Sequence, residues 1–192
     1  MMDETPLSPG ESLAFIQGVI ARTKGHYRDN SFYFLLWGWL IAVAGALFFV
    51  LHEYTKTTYY FLPFPVLAAT GIVTSGIHYR KHHKPAETYT DFFFTRLWLV
   101  VGIGFIVTVA VAVSQRLSPL LFTIVIAGIG TLVSGLILQF RPLIAGGVLF
   151  FAAAIAGIFI PDGYRPLLLT VAIVLGYLIP GYQLKGRQHD AV

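Results

Sequence analysis

Apolar positions along this chain fall in long, nearly unbroken runs, with neither the alternation of a half-buried strand nor the single stripe of a soluble helix. A hydrocarbon core of about 30 Å is crossed by roughly 20 apolar residues at about 1.5 Å each. Six stretches meet that length: Phe32 to Leu51, Tyr59 to Tyr79, Phe92 to Val113, Ser118 to Phe140, Pro142 to Ile160 and Pro166 to Leu184. The connections are short, which predicts that sequential helices are antiparallel neighbours. Pro119, Pro142 and Pro166 fall at or near helix starts, where a missing N–H costs nothing. Only Gln139, Phe140 and Arg141 part the fourth stretch from the fifth, so the turn there must be tight or one helix kinked.

Ahead of these runs the pattern changes period. Ser8, Pro9 and Glu11 make a capping box with proline at the first helical position, and Gly25 after Lys24 is a stop signal. Between them Leu13, Ile16 and Ile20 share a face widened by Phe15 and Val19. This predicts an amphipathic helix lying in the membrane interface or on the end of the bundle, with docking to a partner as the alternative. The chain divides into an N-terminal segment 1–30, a transmembrane domain 31–184 and a tail 185–192.

The runs also repeat. GIVTSG (Gly71 to Gly76) in the second, GTLVSG (Gly130 to Gly135) in the fourth and GYLIPG (Gly176 to Gly181) in the sixth sit near the same end of even-numbered helices. An offset of 59 residues superimposes Gly71, Ser75 and Gly76 on Gly130, Ser134 and Gly135; it also carries Trp39 to Trp98 and Gly45 to Gly104. Two crossings per unit give copies of one orientation, parallel pseudo-repeats about an axis along the membrane normal. The fold expected is all-α: a polytopic membrane protein of six helices in three pseudo-repeated hairpins, preceded by the interfacial helix. Gly71, Ser75, Gly76, Gly130, Ser134, Gly135, Gly176 and Gly181 are then helix-packing positions, because small residues let backbones approach where lipid supplies no hydrophobic drive. The alternative for these glycines is a flexible or backbone-lined site, with Pro180 breaking the third copy.

Composition reinforces the membrane reading: hydrophobic residues make up 56% of the 192 residues and charged ones 11%, and the mean hydropathy is +0.74. Soluble domains carry about 25% charged residues. From Leu97 to Leu184 the only charges are Arg116, Arg141, Asp162 and Arg165. The net charge of +4 comes from basic residues flanking apolar runs, which fits a membrane surface and not nucleic acid. Placing the N-terminus inside puts Arg22, Lys24, Arg28, Arg80, Lys81, Lys84, Arg96, Arg141, Lys185 and Arg187 on the inner side, against Lys56, Arg116 and Arg165 outside. Both termini are expected to be cytoplasmic. The first long run, starting near Phe32 behind a polar segment, is too long for a signal-peptide core.

Little chemistry is visible. Absent cysteine excludes disulfides, thiolate zinc and a cysteine nucleophile. Arg96 is the one charged residue inside an expected span; close to its end, it reads as an anchor that snorkels to the headgroups, alongside Arg80, Lys81 and Lys84. With no Asp or Glu in a span, the carboxylate usual in ion-coupled transport is missing. A polar path would have to use Thr70, Thr74, Ser75, Thr131, Ser134, Thr170 and Tyr177, whose hydroxyls more often bond their own helix or a neighbour. Ser-Gly on the fourth of six spans invites comparison with rhomboid proteases, but Leu132 stands where such a motif has glycine and the sixth span has no histidine, and a serine without a base is not activated. His78 and His82 at i, i+4, with His83, allow a metal site, though Lys84-Pro85 interrupts the helix and IHYRKHHK reads equally as a basic anchor. At the outer end His52, Glu53, Tyr54, Tyr59 and Tyr60 cluster near Pro63 and Pro65, and Asp162, Gly163, Tyr164 and Arg165 form the last outer turn; an aromatic belt is expected there, with a small ligand pocket as the alternative.

DNSFYFLLWGWLIAVAG (Asp29 to Gly45) and YLIPGYQLK (Tyr177 to Lys185) resemble uncharacterised small multi-pass bacterial inner-membrane proteins. The resemblance implies a bacterial inner membrane and a polytopic helical fold, and assigns no residue a role. The expectation is a non-enzymatic interaction, sensor or scaffold subunit, without cofactor or metal. Its partners are the lipid bilayer, a protein at the cytoplasmic face, and further copies of itself. The alternative is a small-molecule or ion transporter or channel whose path runs between the hairpins.

Overall fold

The computed structural model describes residues 31–82 and 89–186, which are helical apart from the connections, with no strand among them. The amphipathic helix expected before Gly25 lies outside these residues. α1 spans Ser31–Thr55, and its last turn, Leu51–Thr55, widens to a π-helix that ends at left-handed Lys56. α2 (Pro63–His82), α3 (Tyr89–Ser114), α4 (Leu120–Ile137) and α5 (Arg141–Ile158) follow. The last crossing is one rod, Asp162–Gly186. It is made of a 3₁₀ turn, α6 (Arg165–Ile173), a π turn over Val174–Leu178, and α7 (Ile179–Gly186).

Five of these helices are long and apolar enough to span a bilayer: α1, α3, α4, α5 and the α6–α7 rod. α2 matches them in length, but the polar end His78-Tyr79-Arg80-Lys81-His82 dilutes its apolar stretch. It starts at Pro63 and not at Tyr59, because Pro63 and Pro65, which lack an N–H, sit where a first helical turn needs none. Pro119 is the N-cap residue of α4, and Pro142 and Pro166 lie in the first positions of α5 and α6.

The passage from α4 to α5 is a tight turn. Gln139 is left-handed, with φ 49°. The Phe140 N–H reaches the Gly135 carbonyl (2.9 Å) and the Gln139 N–H reaches Leu136 (3.2 Å), which is a Schellman closure made without glycine. The end of α3 repeats it: Arg116 has φ 57°, the Leu117 N–H bonds Ala112 (2.8 Å) and the Arg116 N–H bonds Val113 (3.0 Å).

Contact order shows that neighbouring helices run antiparallel. Along α1, Trp37 meets Ser75 and Phe48 meets Phe64, so the number rises on one helix as it falls on the other. Likewise α5 meets α4 with Ile144 at Gly135, Gly147 at Leu132 and Phe150 at Gly128. α1 also packs along the last rod, with Gly38 under Leu178 and Tyr177, and Gly45 under Thr170 and Pro166. Toward the Ser31 end, Phe34 of α1 lies 4.8 Å from Tyr177, 5.8 Å from Phe94 and 6.1 Å from Trp98, measured between ring centroids. Edge-to-face rings from three helices fill that space at favourable quadrupole geometry. α2 and α3, by contrast, leave most of their circumference exposed.

Candidate functional site

The small residues of the repeated motifs meet particular partners. Ser75 accepts a hydrogen bond from the Trp37 indole N–H at 3.2 Å, and Ser134 accepts one from Trp98 at 3.2 Å. One turn away each tryptophan lies over a glycine. A Cβ on Gly71 would stand 3.0 Å from Trp37 Cη2 and 2.9 Å from Leu40, and one on Gly130 3.5 Å from Trp98 Cη2 and 3.4 Å from Val101. Gly135 lies against the α5 backbone at Ile144, and Gly181 against Phe34 and Leu35. Among the described residues, nothing lies within 4 Å of where a Cβ on Gly76 would stand.

At the offset of 59 residues Trp39 aligns with Trp98, but Trp37 is the residue that bonds Ser75; Trp39, two residues and about 200° round the helix, donates to the Tyr182 hydroxyl at 2.9 Å. Gly45 is packed under Thr170, whereas Gly104 has nothing within 4 Å among the described residues.

At the Gly176 to Gly181 stretch the neighbour is backbone. Pro180 has no N–H to offer the Gly176 carbonyl and its ring crowds that oxygen, so the helix relaxes into the π turn Val174–Leu178. The Gly176 carbonyl oxygen occupies the place where a Cβ on Gly146 would project. Only glycine at 146 permits this approach, and the contact is of the Cα–H···O kind.

Several hydroxyls bond a carbonyl of their own helix. Thr70 bonds the Val66 carbonyl (2.9 Å), Thr123 bonds Leu120 (2.7 Å), and Thr170 bonds both Pro166 (2.9 Å) and, across the helix pair, Ala42 (3.4 Å). Thr131 is fully buried, and its hydroxyl has no partner among the described residues. Ser134, fully buried, accepts its hydrogen bond from the Trp98 indole.

At the Glu53 end the structure brings together two clusters far apart in sequence. His52 Nδ1 lies 3.1 Å from Glu53 Oε1 on the π turn, with the Tyr60 ring edge-on to His52 at 5.0 Å. The turn before α6 rests on them, and a Cβ on Gly163 would stand 2.9 Å from Glu53 Oε1. Arg165 is committed to structure: it pairs with Asp162, and its Nε–H donates to the Gly157 and Ile160 carbonyls, both at 3.1 Å. A cation on the last carbonyls of α5 completes that helix end. Sequence reasoning grouped these residues by turn but had no signal for Arg165 reaching back onto α5.

Of the anchoring residues, Arg80 and Lys81 are exposed, and Arg96 lies over the Phe92 ring at 5.1 Å; Lys84 lies outside the described residues. His78 stacks on Phe32 at 3.8 Å and meets Tyr33 edge-on at 5.6 Å, packing it against α1. The His82 side chain and His83 lie outside the described residues. Among those described, no three His, Asp or Glu side chains are grouped to hold a metal. No protein-family model, curated protein or solved structure matches the chain.

Proposed function

We propose that this is a multi-pass integral protein of the bacterial inner membrane that works through protein contacts, as an interaction, sensor or scaffold subunit. In this reading all six helices cross, both termini face the cytoplasm, and residues 1–30 with the basic loop around Arg80, Lys81 and Lys84 form the docking surface. One observation carries it: polar side chains inside the helices join one helix to another, as Trp37 with Ser75, Trp98 with Ser134 and Thr170 with Ala42. The resemblance of Asp29 to Gly45 and Tyr177 to Lys185 to small bacterial multi-pass proteins supports the location.

The hairpins are copies of one unit. Two tryptophan–serine bonds of equal length, each above a glycine of the same motif, support this, with the first helix of the unit in a register of 61 residues (Trp37 to Trp98) and the second in one of 59 (Ser75 to Ser134). The loop of the first hairpin accounts for the difference. Transport has one feature in its favour, the interrupted last crossing. That interruption is filled by Gly146 of α5, which favours packing over a path.

The test is purification of tagged full-length chain from native membranes. The expected result is a stoichiometric protein partner that is lost when Leu13→Glu and Ile16→Glu break the apolar face of the N-terminal segment. A chain that purifies alone and moves a solute across proteoliposomes would overturn the contact reading.

A further inference from the structure

α4 is covered on two sides. Gly130 and Ser134 receive α3, while Gly128, Leu132 and Gly135 receive α5. α5 seats through Ile144, Gly147 and Phe151, a glycine with bulky residues three before and four after. A Cβ on Gly147 would stand 2.6 Å from Leu132, one on Gly135 2.6 Å from the Ile144 nitrogen, and one on Gly128 3.3 Å from Phe151. The register that carries Ser134 to Ser75 carries Gly128, Leu132 and Gly135 to Ala69, Val73 and Gly76 of α2. All three are exposed, Val73 by 60%, and Gly76 has nothing within 4 Å. α2 thus presents the face with which α4 takes a neighbour, and among the described residues nothing covers it. α2 is also the least apolar of the long helices, and so the one least suited to stand bare in hydrocarbon.

A helix with the α5 pattern exists in the same chain. Leu99, Gly102 and Ile106 of α3 have the spacing of Ile144, Gly147 and Phe151, and Arg96 precedes Gly102 by the same interval as Arg141 precedes Gly147. The two glycines therefore lie at matching depth, about 9 Å along the helix from an arginine. Leu99 and Ile106 are 53% and 68% exposed, and Gly102 has nothing within 4 Å.

We infer that α3 of a second copy docks on the Ala69–Val73–Gly76 face of α2, reproducing between copies the antiparallel contact that α5 makes with α4. Glycines on both surfaces let the backbones approach, the main source of helix association in lipid. The contact joins two different surfaces, so it closes as a reciprocal pair or a ring of copies. The inference rests on the hairpin-repeat reading, because the register that defines the face comes from it.

The chain has no cysteine, so introduced thiols are unique. Two differently tagged full-length chains, one with Val73→Cys and one with Gly102→Cys, are co-expressed and oxidised in native membranes. Both positions face open space, so the folded state is undisturbed. The expected product is a disulfide-linked dimer carrying both tags, in at least several-fold higher yield than either variant gives with itself. Native mass spectrometry of the wild-type chain from lipid nanodiscs should show oligomers, and Gly76→Trp should convert them to monomers. A Val73→Cys chain that links equally well to itself, a link to an unrelated protein, or a wild-type monomer with lipid on this face would each overturn the proposal. The repeat is read separately, from the coupling energies of the two tryptophan–serine pairs. If the couplings are equal and no cross-link forms, the docking surface is lost and the repeat stands.

Discussion

Gln139, Arg116 and Lys56 are the described non-glycine residues with positive φ, and each ends a helix. An L-residue in this conformation pays roughly 1–2 kcal/mol, while glycine there gives back about 0.5–1 kcal/mol of chain entropy. Gln139→Gly is therefore expected to stabilise the protein by about 0.5–1 kcal/mol, read as a raised unfolding midpoint in detergent; a lowered midpoint would show that the Gln139 side chain holds the turn by other means. The tryptophan–serine bonds are a second test at this scale. A single net hydrogen bond contributes about 1 kcal/mol, so Trp98→Phe and Ser134→Ala should each cost about that much, and the double variant little more than the larger single. Additive losses would mean that the two side chains act independently. The pair Trp37 and Ser75, half-buried where Ser134 is fully buried, should show the same coupling or slightly less.

Helix pairing in this bundle depends on where a side chain is missing. At the Gly146–Gly176 crossing the backbones touch, and a methyl group would have to displace a carbonyl oxygen. Gly146→Ala is expected to cost about 2–3 kcal/mol through overpacking. The control is Gly104→Ala: that glycine has no neighbour within 4 Å, and the better helix propensity of alanine should leave stability unchanged or raise it by up to about 1 kcal/mol. Equal effects at the two sites would remove close backbone approach as the cause. The same contrast explains why glycine-rich motifs alike in sequence differ in role. Gly135 is pressed against α5, whereas Gly76, at the same place in its motif on α2, has no neighbour within 4 Å among the described residues.

On the scale of the molecule, α1 sits between α2 and the last rod and touches α3 through Phe34, so it is the element that joins the first hairpin to the rest. The wide exposed faces of α2 and α3 require a non-aqueous surrounding or a partner. In the orientation proposed from the bias of Lys and Arg the Glu53 end faces outside, and Lys56→Cys should then react with a membrane-impermeant thiol reagent on intact cells. Reaction only after permeabilisation would reverse the orientation. Asp162, 73% exposed in its side chain, serves as a second site at the same end, whereas Arg165 is held by its bonds to α5 and is unsuited to labelling.

Long apolar runs were enough to place the described helices to within a few residues, the start of α2 at Pro63 instead of Tyr59 being a difference, because a helix able to cross hydrocarbon needs a minimum length whatever its neighbours are. The serines and glycines of the repeated motifs were legible as small residues for the same reason. Which surface each one meets was not. Whether Trp37 or Trp39 reaches Ser75, whether Gly76 is covered, and where Arg165 sends its guanidinium depend on the rotation of one helix against another. That rotation is set by side-chain shapes on both partners at once, and it leaves no period in a single strand of sequence. The π turn before Pro180 belongs to the same class: proline predicts an interruption, but only the facing Gly146 of α5 decides that packed backbone fills it.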